Sequence, residues 1–593
     1  MASMSHLSFS RTTTTSPFFP PSQKPTNSKR HQVPKVTCKN NNNNGSHNNH
    51  LNSNAEKQPP PSSSNNNNIL GNRRDVLIGL GGLYGSSTLT NNIINPFAFA
   101  APLAPDLKTC GPPTLPAGAK PTKCCPPPST TVKDFVFPQQ NLPLRIRKPA
   151  QLVANDSEYV AKYKEAIRLM KSLPEDDPRN FTQQANVHCA YCHNSYHQVG
   201  FPNLDLQVHF SWIFFPFHRW YLYFYERMLG SLINDPSFAL PYWNWDSPDG
   251  MEIPAIFTER NSPLYNELRN ANHQPPTLVD LNWNKKDVDT SGNVDANLAI
   301  MYRQVYEARR ARCFFGKPFR AGQEPYTVKV GSGTLELVPH NVVHSWTGDI
   351  TQPNTENMGA LYSAARDPIF YSHHANVDRM WSIWNSFNRK DIDDSDWLDS
   401  SFLFYDENKD LVRVKIRDCL DTKKLGYDFL DQPLPWTNAK PKPRRTKIER
   451  VVKPLTVTKS VQFPLKLEKI VSTVVNRPAK SRSKEDKEEK EETLVIEVEF
   501  DRRRGVKFDV LINEEEDAKF ATPVNREFAG SFVNVSHVQT SISMITDTNF
   551  SIGITELLED LGADDDDSVV VTLVPQYGEG VVIKDIKIDL ETC

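Results

Sequence analysis

Seven histidines stand out for the company they keep. His209 and His218 lie in residues 208–227, VHFSWIFFPFHRWYLYFYER, a stretch otherwise almost wholly aromatic or apolar. A polar ring buried among such side chains needs a partner. His340 and His344 stand one helical turn apart in PHNVVHSW, so both rings can face one point. His373 and His374 are adjacent in DPIFYSHHANVDRMW, and His188 lies upstream in NVHCAYCHNSYH. Neutral imidazole is the commonest protein ligand for copper, zinc and iron. An isolated HxxxH is weak evidence for a metal. Its repetition in apolar surroundings is stronger. His188, His209 and His218 make one set of three, and His340, His344 and His374 make another. Two sites of three imidazoles, with no carboxylate among the ligands, disfavour iron oxygenase and magnesium chemistry. They fit copper or zinc, and a pair of ions held in this way suits a dinuclear copper centre.

Buried helices must carry these rings. Residues 155–173 read as an amphipathic helix, with Tyr159, Val160, Tyr163, Ile167, Leu169 and Met170 apolar at mostly helical spacing and Pro174 after its end. Residues 210–233 read as a helix hydrophobic nearly all round, hence buried, with Pro216 starting or kinking it. Residues 339–346 and 370–387 read as two more, the second with Val377, Met380, Trp381 and Trp384 recurring. Residues 234–335 read as loops around one helix near 296–312. Helices that point histidines inward are the geometry of a bundle metal site.

The flanks differ in kind. Residues 1–72 are rich in Ser, Thr, Asn and Pro and hold a single acid, Glu56, the composition of a plastid transit peptide. Arg73-Arg74, an apolar run at 76–84 and Ala98-Phe99-Ala100 then make an export signal. That run is too short and Gly-rich to span a bilayer. Two signals in series, residues 1–100, imply passage into a plastid and on to the thylakoid lumen. Cys110, Cys124 and Cys125 lie in a Pro-rich strap too poor in apolar residues to pack alone. A disulfide-stapled segment in an oxidising compartment is the expectation.

Towards the C-terminus, residues 437–458 are basic and proline-bearing, a boundary open to proteases, and residues 480–492 are a charge run read as a solvated loop. Alternation then takes over in LVIEVEF, KFDVLI, SVVVTLVP and VVIKDIKIDL. The fold class expected is an α-helical bundle holding the metal pair at 101–436, a linker with an activation cleavage at 437–492, and an all-β, sandwich-like domain at 493–593. The net charge of −2 gives no bias toward nucleic acid.

Two long patterns occur in order. One is His209-x4-Phe214-Phe215-Pro216-Phe217-His218-Arg219, closed by Glu226. The other is Asp367-Pro368-x-Phe370-Tyr371-x-x-His374-x3-Asp378. Together they strongly resemble the tyrosinase and plant polyphenol oxidase family of type 3 copper proteins. Asp396-Trp397-Leu398 and Lys507-Phe508-Asp509-Val510 resemble signatures of its plant branch. The resemblance implies copper A on His188, His209 and His218, and copper B on His340, His344 and His374, with His373 a neighbour. It implies a thioether between Cys192 and His209, and disulfides Cys110–Cys125 and Cys124–Cys189. Asp378 would orient an imidazole from behind. Glu336 and Asn341 stand where the family holds a water that deprotonates monophenols, and Leu361 stands where many plant members place a Phe gate. One departure is Tyr427-x-Phe429, where the family usually shows Tyr-x-Tyr.

The activity implied is oxidation of o-diphenols to o-quinones with dioxygen as co-substrate, together with ortho-hydroxylation of monophenols. The enzyme would be latent, capped by its C-terminal domain, acting on small phenols and loosely associated with the thylakoid. A specialised hydroxylase or oxidase of pigment or lignan biosynthesis would share every motif. An oxygen carrier like hemocyanin would share the copper pair, but the plastid signals and plant-type signatures argue against it. Read without the resemblance, Cys189 and Cys192 also allow a C-x-x-C zinc or redox pair, which the lack of a second such pair disfavours.

Overall fold

The computed structural model describes residues 102–138, 144–287, 293–325, 327, 330–444, 460–536 and 544–592. The targeting signals therefore lie outside the described residues. So does the basic part of the linker at 445–459.

Five helices matter for the site: α1 (Ser157–Ser172), α2 (Phe181–Cys192), α3 (Phe214–Leu232), α4 (Asn341–Thr347) and α5 (Ile369–Ser386). Their starts follow local chemistry. The Asp156 carboxylate accepts the Tyr159 N–H to open α1, and Asn180 does the same for Thr182 at α2. The Asp367 carboxylate accepts the Ile369 N–H at the head of α5. Helix α3 packs against both α1 and α5, and its residues 214–226 are all buried. Pro216 falls in its first turn, where a missing N–H costs no hydrogen bond. The helix expected from residue 210 starts four residues later. Phe210 has a φ of +64°, which breaks the helix and leaves His209 on a loop. In the region read mostly as loops, Asn293–Met301 is helical and runs on through a wider turn at Tyr302–Glu307. Among the described residues, no helix is long and apolar enough to cross a membrane.

The C-terminal region is a β-sandwich. Its strands are β1 (Val471–Asn476), β2 (Lys490–Asp501), β3 (Val506–Ile512), β4 (Phe528–Asn534), β5 (Ile545–Gly553), β6 (Ser568–Tyr577) and β7 (Val582–Thr592). One sheet runs β1-β6-β3-β4, and the other runs β5-β2-β7 with Leu465–Lys466 at its edge; all pairings are antiparallel. Phe508 and Phe532 of the first sheet meet Phe500 and Phe550 of the second, with ring centroids 5.4–6.3 Å apart across the sheets.

Two expectations change here. The segment 437–492 is not linker throughout, because β1 already pairs along its length with β6. The charge run is not simply a solvated loop either. Lys484–Glu489 is a short exposed helix, and Glu492 is buried in a 2.9 Å ion pair with Arg477. The sandwich and the helices share one compact unit, and β4 lies against α4 and the turn before it.

Candidate metal centre

Each histidine reaches the centre on its own piece of backbone. His188 sits in the last turn of α2 and His218 in the first turns of α3, while the loop between them supplies His209. His340 ends the turn before α4, His344 lies on α4, and His373 and His374 open α5. All seven rings are buried. One nitrogen each from His188, His209 and His218 lies within 4.8 Å of the others, and the same holds for His340, His344, His373 and His374. The two groups face each other: His218 and His374 stack with ring centroids 4.1 Å apart.

The second nitrogens are held from behind. Nδ1 of His188 donates to the Leu361 carbonyl, Nδ1 of His218 to that of Phe214, and Nδ1 of His344 to that of Met358, each at 2.8 Å. Nδ1 of His340 is 3.1 Å from the Glu336 carbonyl. A carbonyl only accepts, so Nδ1 carries the proton and Nε2 keeps its lone pair. The Nε2 atoms of His188, His218 and His340 are buried without a hydrogen-bond partner among the described residues. Burial pushes the His218 ring down to about 3 and His344 to about 4, and drives His188, His340 and His374 well below the usual imidazole range. These five rings are therefore neutral at physiological pH, the form that can ligate a metal. Buried lone pairs left unpaired cost on the order of 1–3 kcal/mol each. Two copper ions, which favour imidazole, fit this donor set and would satisfy it.

The loop carrying His209 is tied down by a residue not singled out in the sequence. Gln207 accepts the His209 N–H at 2.9 Å and donates to the Cys192 carbonyl at 2.9 Å. It thereby holds the His209 loop to the end of α2, where Cys192 is a buried free thiol. Disulfides join Cys110 to Cys125 and Cys124 to Cys189. The second pins the Pro-rich strap to α2 one residue beyond His188.

The remaining site residues divide. Leu361 is buried and lends its carbonyl to His188. The Glu336 carboxylate accepts the Phe210 N–H, and burial raises it to about 8. Asn341 Oδ1 lies 3.1 Å from His340 Nδ1, and its amide donates to the Val533 carbonyl of β4 at 3.1 Å. Asp378 is a correction. One turn beyond His374, its oxygens face Arg147, Arg219 and the Tyr427 hydroxyl, not an imidazole. It belongs to a buried ion network with Glu226, because one turn further along the same face of α5 it meets Arg147 and Arg219 instead of a ring. Tyr427 of the departing Tyr-x-Phe pair is part of that network.

A buried pair of imidazole clusters between helices, with a β-sandwich on one side, defines a dinuclear metalloprotein class. Residues 178–386 match the common central domain of tyrosinase, residues 391–442 the polyphenol oxidase middle domain, and residues 463–590 the chloroplastic polyphenol oxidase C-terminal domain. The chain is 55% identical over 539 residues to the chloroplastic polyphenol oxidase of Malus domestica, covering 87% of this chain and 89% of that protein. It is 50% identical over 502 residues to aureusidin synthase of Antirrhinum majus, covering 82% and 88%. The structure of latent apple tyrosinase aligns with a TM-score of 0.73 at 54% identity, over 78% of this chain and 100% of that one. The chain belongs to the plant polyphenol oxidase family of type 3 copper proteins.

Proposed function

We propose that this chain is a latent plastid polyphenol oxidase that oxidises o-diphenols to o-quinones, with dioxygen as co-substrate reduced to water. The observation that carries the reading is the pair of facing imidazole clusters with their lone pairs turned inward. His188, His209 and His218 would hold one copper, and His340, His344 and His374 the other. When bound, the two ions supply the two-electron oxidation of the phenol.

The protein's own residues do the rest. The rings of Phe214 and Phe370 lie 4.6 Å from His340 and 4.3 Å from His374, keeping the space between the clusters apolar and dry. Glu336, titrating near 8, is suited to take the proton of a monophenol hydroxyl, which favours ortho-hydroxylation as well. Asn341 steadies His340 through Nδ1 while β4 holds its amide, so departure of the sandwich would free that amide. Cleavage within 437–492 is the activating step in this reading. A thioether from Cys192 to His209 would fix the His209 ring on its loop. The double signal at 1–100 supports delivery to the thylakoid lumen and a loose association there.

A second reading is favoured by the comparable identity to aureusidin synthase: a specialised oxidase of pigment biosynthesis on the same site. The test is turnover by the cleaved, copper-loaded protein offered tyrosine, tyramine, caffeic acid and a chalcone. Quinone formation from caffeic acid is expected. Turnover of the chalcone alone would replace the first reading with the second, and no turnover of any phenol would defeat both.

A further inference from the structure

His373 and His374 are adjacent, equally buried and equally near His340 and His344, yet a catalytic metal needs an open coordination position. A fourth imidazole on the same ion would compete for the position that dioxygen and the phenol need. The difference between the two rings lies behind them. Trp245 Nε1 points at His373 Nδ1 at 3.1 Å. An indole N–H can only donate, so this Nδ1 must accept. A neutral imidazole then carries its proton on Nε2, and a protonated nitrogen has no lone pair for a metal. This is the reverse of His188, His218 and His344, whose Nδ1 atoms face carbonyls.

The indole is held rigidly. On one side of it, the Trp243 N–H donates to the Ser372 carbonyl at 2.8 Å. On the other, Asp246 accepts from Asn376 at 2.9 Å and pairs with Arg379 at 3.0 Å. Both anchors are on α5 or at its first turn, so the 243–246 segment and His373 move together. His374 has no such donor behind it; its Nδ1 has no hydrogen-bond partner among the described residues, and its Nε2 lies 3.2 Å from His344 Nε2.

We propose that Trp245 is a positioning residue: by donating to His373 Nδ1 it keeps His373 off the second copper and leaves the place to His374. The proposal rests on the dicopper reading above. It is tested on the full chain loaded with copper, using X-ray absorption to count imidazoles per metal. The native protein should bind two coppers with about 3 imidazoles each. In Trp245→Phe the donor is lost while an aromatic ring remains. His373 is then free to turn its lone pair inward, so the mean count should rise toward about 3.5. The near-ultraviolet band formed on adding hydrogen peroxide should weaken. Trp245→Phe combined with His373→Phe should restore both signals, which a merely structural role for the indole would not do.

An unchanged count and band in Trp245→Phe, or no restoration in the double variant, overturns the proposal. Should Trp245→Phe fail to fold, His373→Asn, which keeps an acceptor for the indole, decides. Two coppers at an unchanged count support the proposal, and loss of one copper overturns it. Fewer than two coppers in the native protein would instead defeat the dicopper reading itself, before His373 is in question.

Discussion

The two imidazole groups are built by different means. The first is assembled from three separated pieces of chain and is held by added ties: the Cys124–Cys189 disulfide, and Gln207 between the His209 loop and α2. The second comes from a turn, a short helix and the head of α5, and it contains four imidazoles to the first group's three. It is also the side that the sandwich touches, through Asn341 and Val533. The first group is thus a problem of bringing pieces together, and the second a problem of choosing among neighbours and controlling access.

Loss of a ligand should have the largest effect and should be equally severe on both sides. His218→Ala and His340→Ala should each remove essentially all diphenol turnover and about one copper per chain, measured by metal analysis. A variant that kept both coppers would break the assignment of that group.

The next test separates the groups. The Cys124–Cys189 bond closes a loop with a sequence separation of 65 residues, so Cys124→Ser should cost about 4 kcal/mol of stability by chain entropy. Copper should be lost from the first group before the second on mild chelation. Equal loss from both would mean that the disulfide stabilises the fold without favouring either group.

Glu336→Gln should lower monophenol turnover about 100-fold, with a smaller effect on diphenols. The native monophenol rate should climb with pH and level off above about 8, since the base acts only when ionised. Its raised folded-state pKa also has a sign for stability. Burial favours the protonated carboxyl, so this contribution is full below the ordinary Glu range near 4.5 and is lost as pH rises through about 8. Denaturation of native and Glu336→Gln proteins across that window should show the native protein losing stability relative to the variant.

The smallest effect concerns access. Lys507 of β3 is fully buried, and its ammonium donates to the Asn282 carbonyl and, at 2.8 Å, to Asn282 Oδ1 on the helical side. Lys507→Met should weaken docking by about 2 kcal/mol, raising the open fraction of the uncleaved chain roughly 30-fold. Diphenol turnover of the latent protein should rise with it. Unchanged latency would show that contacts at β4 alone hold the cap.

Much of this was legible in residue types. The aromatic run around His218 declares a buried helix, and the alternation in KFDVLI declares a strand, because each pattern is local and repeats with the period of its element. The positive φ of Phe210 is not legible, since a Phe carries no sign of it, and so the helix expected from residue 210 begins only at Phe214. Strand β4 was missed because FAGSFVN, with its Gly and Ser, lacks clear alternation, and β1 was hidden beside the charge run. Asp378 misled because its position four residues past His374 fixes a helical face but not what packs there.

The sequence by itself determined that buried histidines exist in two groups, that helices carry most of them, and that a β-rich region follows. Tertiary structure alone decided which nitrogen of each ring faces inward. That choice is made by the carbonyls of Leu361, Phe214 and Met358 and by the indole of Trp245. Every residue carries a carbonyl, so its type says nothing about where that carbonyl points. A ring's tautomer is set by whatever the fold brings behind it, in the case of His188 from 173 residues away.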